Sequence, residues 1–204
     1  MAARAWRVGI TGGIGAGKTF ICKIFEKLRI DVYYADERAK WLQAHDPTLV
    51  HRIRKAFGSQ AYDPEGRLNR TFLASEVFSD RSKLARLNQL VHPRVAEDYQ
   101  QWTQQRVTHP YTIKEAALLF ETNAYQHLDV IINVNAPKAV RVERVLRRDP
   151  QRSEEQVDHI ISQQLSDEER SRRADYTIDN RKGIPILSQV VSIHQHLLNH
   201  TVAT

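Results

Sequence analysis

The chain has 204 residues, of which 41% are hydrophobic, a size that suits one compact core and excludes a chain of several independent domains. Its 30 basic and 24 acidic side chains give a formal charge of +6, which favours an anionic partner: a nucleotide, a coenzyme, a nucleic acid or a membrane surface. The single Cys22 excludes an internal disulfide, and no apolar run is long enough for a signal peptide or a membrane span, so we expect a cytoplasmic protein.

The chain opens with a pattern of strand, glycine-rich turn and helix. Residues 8–11 are an apolar run that predicts a strand, and the glycines follow at once. Apolar residues then recur at helical spacing, at Ile21, Ile24, Phe25 and Leu28. Cys22 falls inside this pattern and is predicted to be a small core residue.

The glycine turn, residues 12–19, fits the phosphate-loop pattern G-x-x-x-x-G-K-[ST] in the context that this pattern requires. Glycines let the backbone wrap phosphate oxygens, and the helix N-terminus adds a positive dipole. Lys18 is expected to reach the β- and γ-phosphates, and the Thr19 hydroxyl to ligate Mg²⁺. The alternative is a glycine-rich turn with a solvated lysine. The predicted ATP-binding residues here are Gly12, Gly13, Gly15, Ala16, Gly17, Lys18, Thr19 and Phe20, the last through its backbone N–H alone.

Four further strands are predicted over residues 31–35, 111–116, 129–134 and 176–178. Their order implies an α/β fold, a parallel sheet flanked by helices. Residues 37–107 have a helical pattern instead. Apolar residues recur at spacings of three or four, as at Leu49 and Ile53 and again at Leu84, Leu87 and Val91. They predict an inserted helical subdomain, interrupted by a turn at residues 62–66, that carries substrate contacts.

After the fourth strand, two helices are predicted to form a basic hairpin. Pro137 can open the first, and Ser153 with Gln156 forms a capping box for the second. The hairpin arginines fit a solvated face, a nucleic-acid patch or a lid over phosphates, and we favour the lid because aromatic interleaving is absent. They are Arg141, Arg144, Arg147, Arg148 and Arg152.

The chain closes with an amphipathic helix that is predicted to cover one sheet face. Its expected stripe is Leu187, Val190, Val191, His194 and Leu198, in which His194 is a boundary residue rather than a ligand.

A phosphate loop predicts nucleotide binding but leaves the reaction open, since GTPases, ATPases and small-molecule kinases share it. The chain has no [NT]-K-x-D guanine-specificity motif, whereas a helical insertion and an arginine-rich hairpin suit the acceptor site and lid of a small kinase. We therefore favour an ATP-dependent kinase. Two alternatives remain, a kinase for a nucleoside monophosphate or another small alcohol, and a nucleotide-dependent switch.

Motifs along nearly the whole chain resemble those of the dephospho-CoA kinase family. They are residues 11–18, the triplet 34–36, Val-His-Pro-Arg at 91–94, Leu-Leu-Phe-Glu at 118–121, Arg144, Arg148, Asp149, Gln164 and residues 174–180. Three positions depart from the family pattern: Tyr34 replaces an aspartate, Glu115 replaces an aspartate and Ala117 replaces a proline.

The resemblance implies transfer of the ATP γ-phosphoryl group to the ribose 3′-hydroxyl of dephospho-CoA, the last step of coenzyme A synthesis. It implies that Asp36 orients and deprotonates that hydroxyl, although an aspartate here could also cap the following helix. Arg144 and Arg148 would close over the phosphates, and Asn180 would lie near the adenine. His92, Glu115 and Glu121 would contact the acceptor.

The resulting prediction is a single P-loop kinase domain spanning 1–204. Its core covers about 1–36, 108–136 and 174–204, its acceptor-binding insertion about 37–107 and its lid about 137–173. ATP, Mg²⁺ and dephospho-CoA are the expected ligands, with no nucleic-acid or membrane partner.

Overall fold

The computed structural model describes residues 5–78, 80–106 and 109–202, without the side chains of residues 78 and 200–202. The outer ends of the predicted domain and the predicted core boundary at 108 lie outside these residues. The described strands form one parallel sheet in the order β2-β3-β1-β4-β5. They are β1 (Trp6–Thr11), β2 (Val32–Tyr34), β3 (Tyr111–Glu115), β4 (Val130–Asn135) and β5 (Tyr176–Asp179). The predicted parallel sheet is confirmed.

The described α-helices fall into two compact units, Met1–Tyr34 with Arg106–Thr204, and Ala35–Gln105. The first unit contains the sheet with helices at both ends of its sequence, and the second is helical. In chain order the helices are α1 (Lys18–Lys27), α2 (Ala35–His45), α3 (Pro47–Phe57), α4 (Arg70–Phe78), α5 (Arg81–Gln104), α6 (Lys138–Arg148), α7 (Glu154–Ser162), α8 (Asp167–Arg173) and α9 (Ile186–Val202). None of the described helices is both long and apolar enough to cross a membrane.

Side chains alternate between the two sheet faces, and each face is covered. On one face, Val8, Ile10 and Ile132 pack against α1 and α9 through Phe25 and Val190. On the other face, the segment between β3 and β4 packs Leu119 and Phe120 against Ile131. Because all of these strands pair in parallel, their carboxyl ends share one edge of the sheet.

Helix α9 docks with a different phase from the predicted one. Leu187 is 61% exposed, whereas Val190, Ile193 and Leu197 are buried in the core. The predicted placement of Leu187 on the core stripe is therefore wrong, because a stripe moved by one residue satisfies the same helical spacing. His194 lies at the boundary, with its Nδ1 2.6 Å from the Tyr111 hydroxyl.

The helical unit is held together by ion pairs and caps as well as by apolar contacts. Asp46 caps α3 by accepting from the Leu49 N–H at 2.7 Å, and Arg94 of α5 binds the same carboxylate. Arg38 of α2 binds Asp98 of α5 through two hydrogen bonds of 2.8 Å. The predicted turn at residues 62–66 is present, and Pro93 lies inside α5.

Candidate active site

The loop between β1 and α1 takes a backbone shape that only glycine adopts easily. Gly15 and Gly17 have φ angles of 78° and 97°, in the left-handed region, and Gly17 is the N-cap of α1. A β-carbon on Gly17 would lie 2.2 Å from Nδ2 of Asn180. Conformation and close packing thus both require the glycines that the sequence pattern identified.

Lys18 lies across this loop. Its Nζ donates to the Gly12 carbonyl at 2.9 Å, and Thr19 beside it is exposed on the first turn of α1. The Phe20 N–H donates to the Gly17 carbonyl at 3.0 Å, and its side chain is 54% exposed. A charged ammonium and an exposed hydroxyl therefore stand together at a helix N-terminus, which is suited to anion binding.

Two of the predicted residues reach the loop from distant parts of the sequence. Asn180, which follows β5, is buried and donates through Nδ2 to the Ala16 carbonyl at 2.7 Å. Arg144 of α6 donates to the Asn180 carbonyl at 3.0 Å and to the Ala16 carbonyl at 3.5 Å. Together they fix the far side of the loop.

The other arginines of α6 have separate environments. Arg148 binds Asp149 at 2.9 Å with 65% of its side chain exposed, and this pairing holds the pKa of the Asp149 carboxyl below its usual value. Arg147 is exposed, but Arg141 is only 3% exposed and contacts the loop at Gly13. The alternative in which all of the hairpin arginines form a solvated face is therefore wrong for Arg141.

The predicted lid contains three helices rather than two, since α8 follows α6 and α7 within the fully described residues 137–173. The predicted capping box of α7 is confirmed, with Ser153 and Gln156 bonded reciprocally. Gln164 accepts from the Ile14 N–H at 2.9 Å, which ties the lid segment to the phosphate loop.

Glu115 ends β3 at the sheet edge that carries the loop. It pairs in register with Ile10 and Tyr34, on the face covered by α1, and is 6% exposed. Burial raises the pKa of the Cys22 thiol, the charge of Glu115 raises it further, and Lys18 opposes both. Glu115 and Lys18 thus act in opposite directions on Cys22, a buried core thiol as predicted.

Glu121, a predicted acceptor contact, has a hydrogen-bond partner within the chain. Its Oε1 accepts from the Leu165 N–H at 2.9 Å, which ties the segment after β3 to the loop between α7 and α8.

In the helical unit, Asp36 is exposed and is the second residue of α2. The alternative in which it caps a helix beginning at Glu37 is therefore wrong, because the helix already begins at Ala35. His92 is exposed in the middle of α5. Spacings of four and seven place Lys40 and Gln43 on the same face of α2 as Asp36.

Beyond Asp36 on that face lies a groove of about 210 Å³ with mainly apolar walls. Lys40 and Arg70, both exposed, supply its cationic side chains. The remaining lining residues are Gln43, Leu68, Leu73, Ala74, Val77 and Leu87.

The described residues contain no group of three or more His, Cys, Asp or Glu side chains able to hold a metal ion. A Mg²⁺ ion that is bound largely by nucleotide phosphates needs only one or two protein oxygens, and the exposed Thr19 hydroxyl is a suitable donor. Asp167 of α8 binds Arg141 beside the loop, and Arg170 binds the same carboxylate. Neither residue of α8 was predicted, because no periodicity or motif distinguishes them.

Comparison with known proteins agrees with the geometry. Residues 6–185 match the family model described as dephospho-CoA kinase. Dephospho-CoA kinase from Bacteroides fragilis is 35% identical over 93% of this chain and 91% of its own length. The enzyme of that name from Salinibacter ruber is 38% identical over 85% of this chain and 87% of its own.

Solved structures match over nearly the whole chain. TT1252 from Thermus thermophilus has a TM-score of 0.84 and 28% identity, covering 96% of this chain and 98% of that one. Dephospho-CoA kinase from Campylobacter jejuni has a TM-score of 0.71 and 22% identity, covering 95% and 98%, which shows a shared fold.

Proposed function

The chain belongs to the dephospho-CoA kinase family, and we propose that it transfers the γ-phosphoryl group of ATP to the ribose 3′-hydroxyl of dephospho-CoA, giving coenzyme A and ADP. The observation that carries the proposal is the phosphate loop of residues 12–19, built with its lysine and packed glycines in a chain that matches this family from 6 to 185. The reaction needs little covalent chemistry from the protein, so positioning and charge must supply most of the catalysis.

On the nucleotide side, Lys18 leaves the Gly12 carbonyl and binds the β- and γ-phosphates, where its charge offsets the charge of the transition state. The loop N–H groups and the N-terminus of α1 hold the remaining phosphate oxygens. The Thr19 hydroxyl would hold Mg²⁺, and the ion would neutralise phosphate charge. Asn180 and Arg144 shape the loop on the side of the adenosine.

On the acceptor side, Asp36 accepts the proton of the 3′-hydroxyl or holds that hydroxyl in line for attack. Its exposed carboxylate at the start of α2 is free to meet a ligand. Lys40 lies one helical turn further on, about 6 Å along the axis, which suits the diphosphate of dephospho-CoA. The apolar groove beyond Lys40 suits the pantetheine arm, and His92 and Glu115 are further acceptor contacts.

Residues 137–173 act as the lid in this proposal, with Arg148 leaving Asp149 to reach the transferring phosphoryl group. Glu121 supports the lid through Leu165, and its carboxylate remains a proposed contact of the acceptor. The substrates are small molecules, and we propose that the enzyme works in the cytoplasm without a nucleic-acid or membrane partner.

The direct test measures ADP formation by the purified protein with ATP and Mg²⁺, with and without dephospho-CoA. We expect rapid ADP formation only with dephospho-CoA, and loss of at least about a hundredfold in turnover in Lys18→Ala, whose missing charge acts on the transition state. ADP formation with AMP or another alcohol but not dephospho-CoA would favour a different kinase. Slow hydrolysis that ignores every acceptor would favour a nucleotide-dependent switch.

A further inference from the structure

Two arginines and one aspartate form a buried cluster against the phosphate loop, in the sheet-containing unit. Arg141 of α6 is 3% exposed and Arg170 of α8 is 1% exposed. Arg141 Nη2 donates to Asp167 at 2.9 Å, and Arg170 binds the other oxygen of the same carboxylate. Arg170 also donates to the Leu165 carbonyl. The cluster thus pairs two guanidinium groups with one carboxylate.

The positive charges of this cluster are incompletely compensated. Among the described residues, Arg141 Nε and Nη1 and Arg170 Nε have no hydrogen-bond partner. Burial lowers the pKa of Arg141, Asp167 opposes that change and Arg170 adds to it. A buried charge without full pairing costs stability, so the fold retains Arg141 at a cost.

The excess charge lies directly against the loop backbone. A β-carbon on Gly13 would be 1.8 Å from Nη1 of Arg141 and 3.0 Å from Nη2 of Arg170. A β-carbon on Gly15 would be 2.4 Å from the Arg141 carbonyl oxygen. Gly13 has no left-handed φ, so a side chain there would have to displace the Arg141 guanidinium but would not strain the backbone.

We infer that Arg141 is a positioning residue for phosphate binding, which acts through the loop by packing against Gly13 and by adding positive potential behind it. This inference rests on the proposed function only in requiring that the loop bind a nucleotide. Asp167 and Arg170 hold the Arg141 guanidinium in place. The incomplete pairing of Arg141 is unfavourable in the empty protein. A bound phosphate chain offsets this free energy, because the low local dielectric strengthens the attraction between the guanidinium and the phosphates.

The test replaces Arg141 with Met, which keeps length and removes charge, and measures ATP, ADP and AMP binding by calorimetry without acceptor. We expect the ATP dissociation constant to rise at least about tenfold, as for loss of one nearby unit charge, with a smaller rise for ADP and the smallest for AMP. The melting temperature should stay the same or rise, because Arg170 and Asp167 remain as a balanced pair. Arg52→Met, which removes an exposed arginine from α3 outside the loop and the lid, is the matched control and should bind all three nucleotides normally.

Two further variants separate charge from packing. Arg141→Lys keeps the charge, so the affinity should still increase from AMP to ADP to ATP. This variant also tests the inference if Arg141→Met fails to fold. Gly13→Ala should lose ATP binding, and adding Arg141→Ala should restore part of it, because the collision is then removed.

Normal ATP binding by Arg141→Met overturns the inference, as does an equal loss for ATP, ADP and AMP accompanied by a lower melting temperature. Absence of rescue in the double variant also counts against it. Failure of the wild-type protein to phosphorylate dephospho-CoA would refute the proposed function and leave these binding results intact.

Discussion

Residues of the phosphate loop take their conformation from a local pattern, because the spacing of glycines before Lys18 requires one loop shape whatever the rest of the chain does. Arg141 has no such local determinant. It belongs to a run of arginines in which Arg147 and Arg148 are exposed, and only the docking of α6 and α8 on the loop buries it. Residue burial of this kind depends on tertiary packing.

Asp36→Asn is expected to reduce turnover by about two to four orders of magnitude with little effect on ATP affinity or stability. The carboxylate is exposed in the first turn of α2, so losing it removes at most a favourable interaction with the helix dipole, about 0.5 kcal/mol. Steady-state kinetics with dephospho-CoA, ATP calorimetry and thermal melting measure the three effects.

The control for Asp36 is Glu37→Gln, which removes the neighbouring exposed charge from the same helical turn. It should retain near-normal turnover. Equal losses in the two variants would indicate a general charge effect, and retained turnover in Asp36→Asn would move the base to another group, with Glu115 the next candidate.

Among the elements, the strands were predicted well and the short lid helix was not. Apolar runs bounded by turn residues identify strands, and the observed ends differ from the predicted ones by one or two residues at most positions. Helix α8, with sequence DEERSRR, has no apolar periodicity to reveal it. It is stabilised by the Ser166 cap and by the buried side chain of Arg170.

Strand β3 is buried on both faces, although its sequence alternates apolar and polar residues like a strand with one exposed face. All five of its residues are buried, including Lys114, which is 7% exposed and in register with Gly9 and Tyr33. Burial lowers the pKa of Lys114 from 10.5 to about 8. The unfolded chain therefore binds more protons than the folded protein between these values, so stability rises as pH increases through this window.

Lys114→Met should raise the free energy of unfolding at pH 7 by up to about 3 kcal/mol, the full cost of keeping the buried ammonium charged. The free energy of unfolding of the wild-type protein should increase between pH 8 and pH 10, and this increase should be absent from the variant. Urea denaturation at pH 7, 8 and 9.5 measures both, with exposed Lys23→Met as control. A lower stability of Lys114→Met at pH 7, with an unchanged pH profile, would contradict this account.

For the whole molecule, the sequence pattern and the structure divide the chain at nearly the same places. The predicted helical insertion covers 37–107, and the compact helical unit is Ala35–Gln105. A change from strand periodicity to helical periodicity is visible along the sequence, which is why the division could be anticipated. We propose that the helical unit binds the acceptor and that the sheet-containing unit binds the nucleotide.

Hydrogen exchange measured by mass spectrometry can test that division of roles, because each ligand should protect the backbone of the unit that binds it. We expect a non-hydrolysable ATP analogue with Mg²⁺ to slow exchange in residues 12–20 and in the lid, 137–173. Dephospho-CoA alone should slow exchange in α2 and in the groove-lining part of α4, because in the proposed complex the pantetheine arm would cover these helices. Coenzyme A, which shares the arm, is the matched ligand control, and Lys18→Ala should lose only the nucleotide pattern. Protection of the first unit alone by dephospho-CoA would place the acceptor outside the groove and refute the assignment of the helical unit.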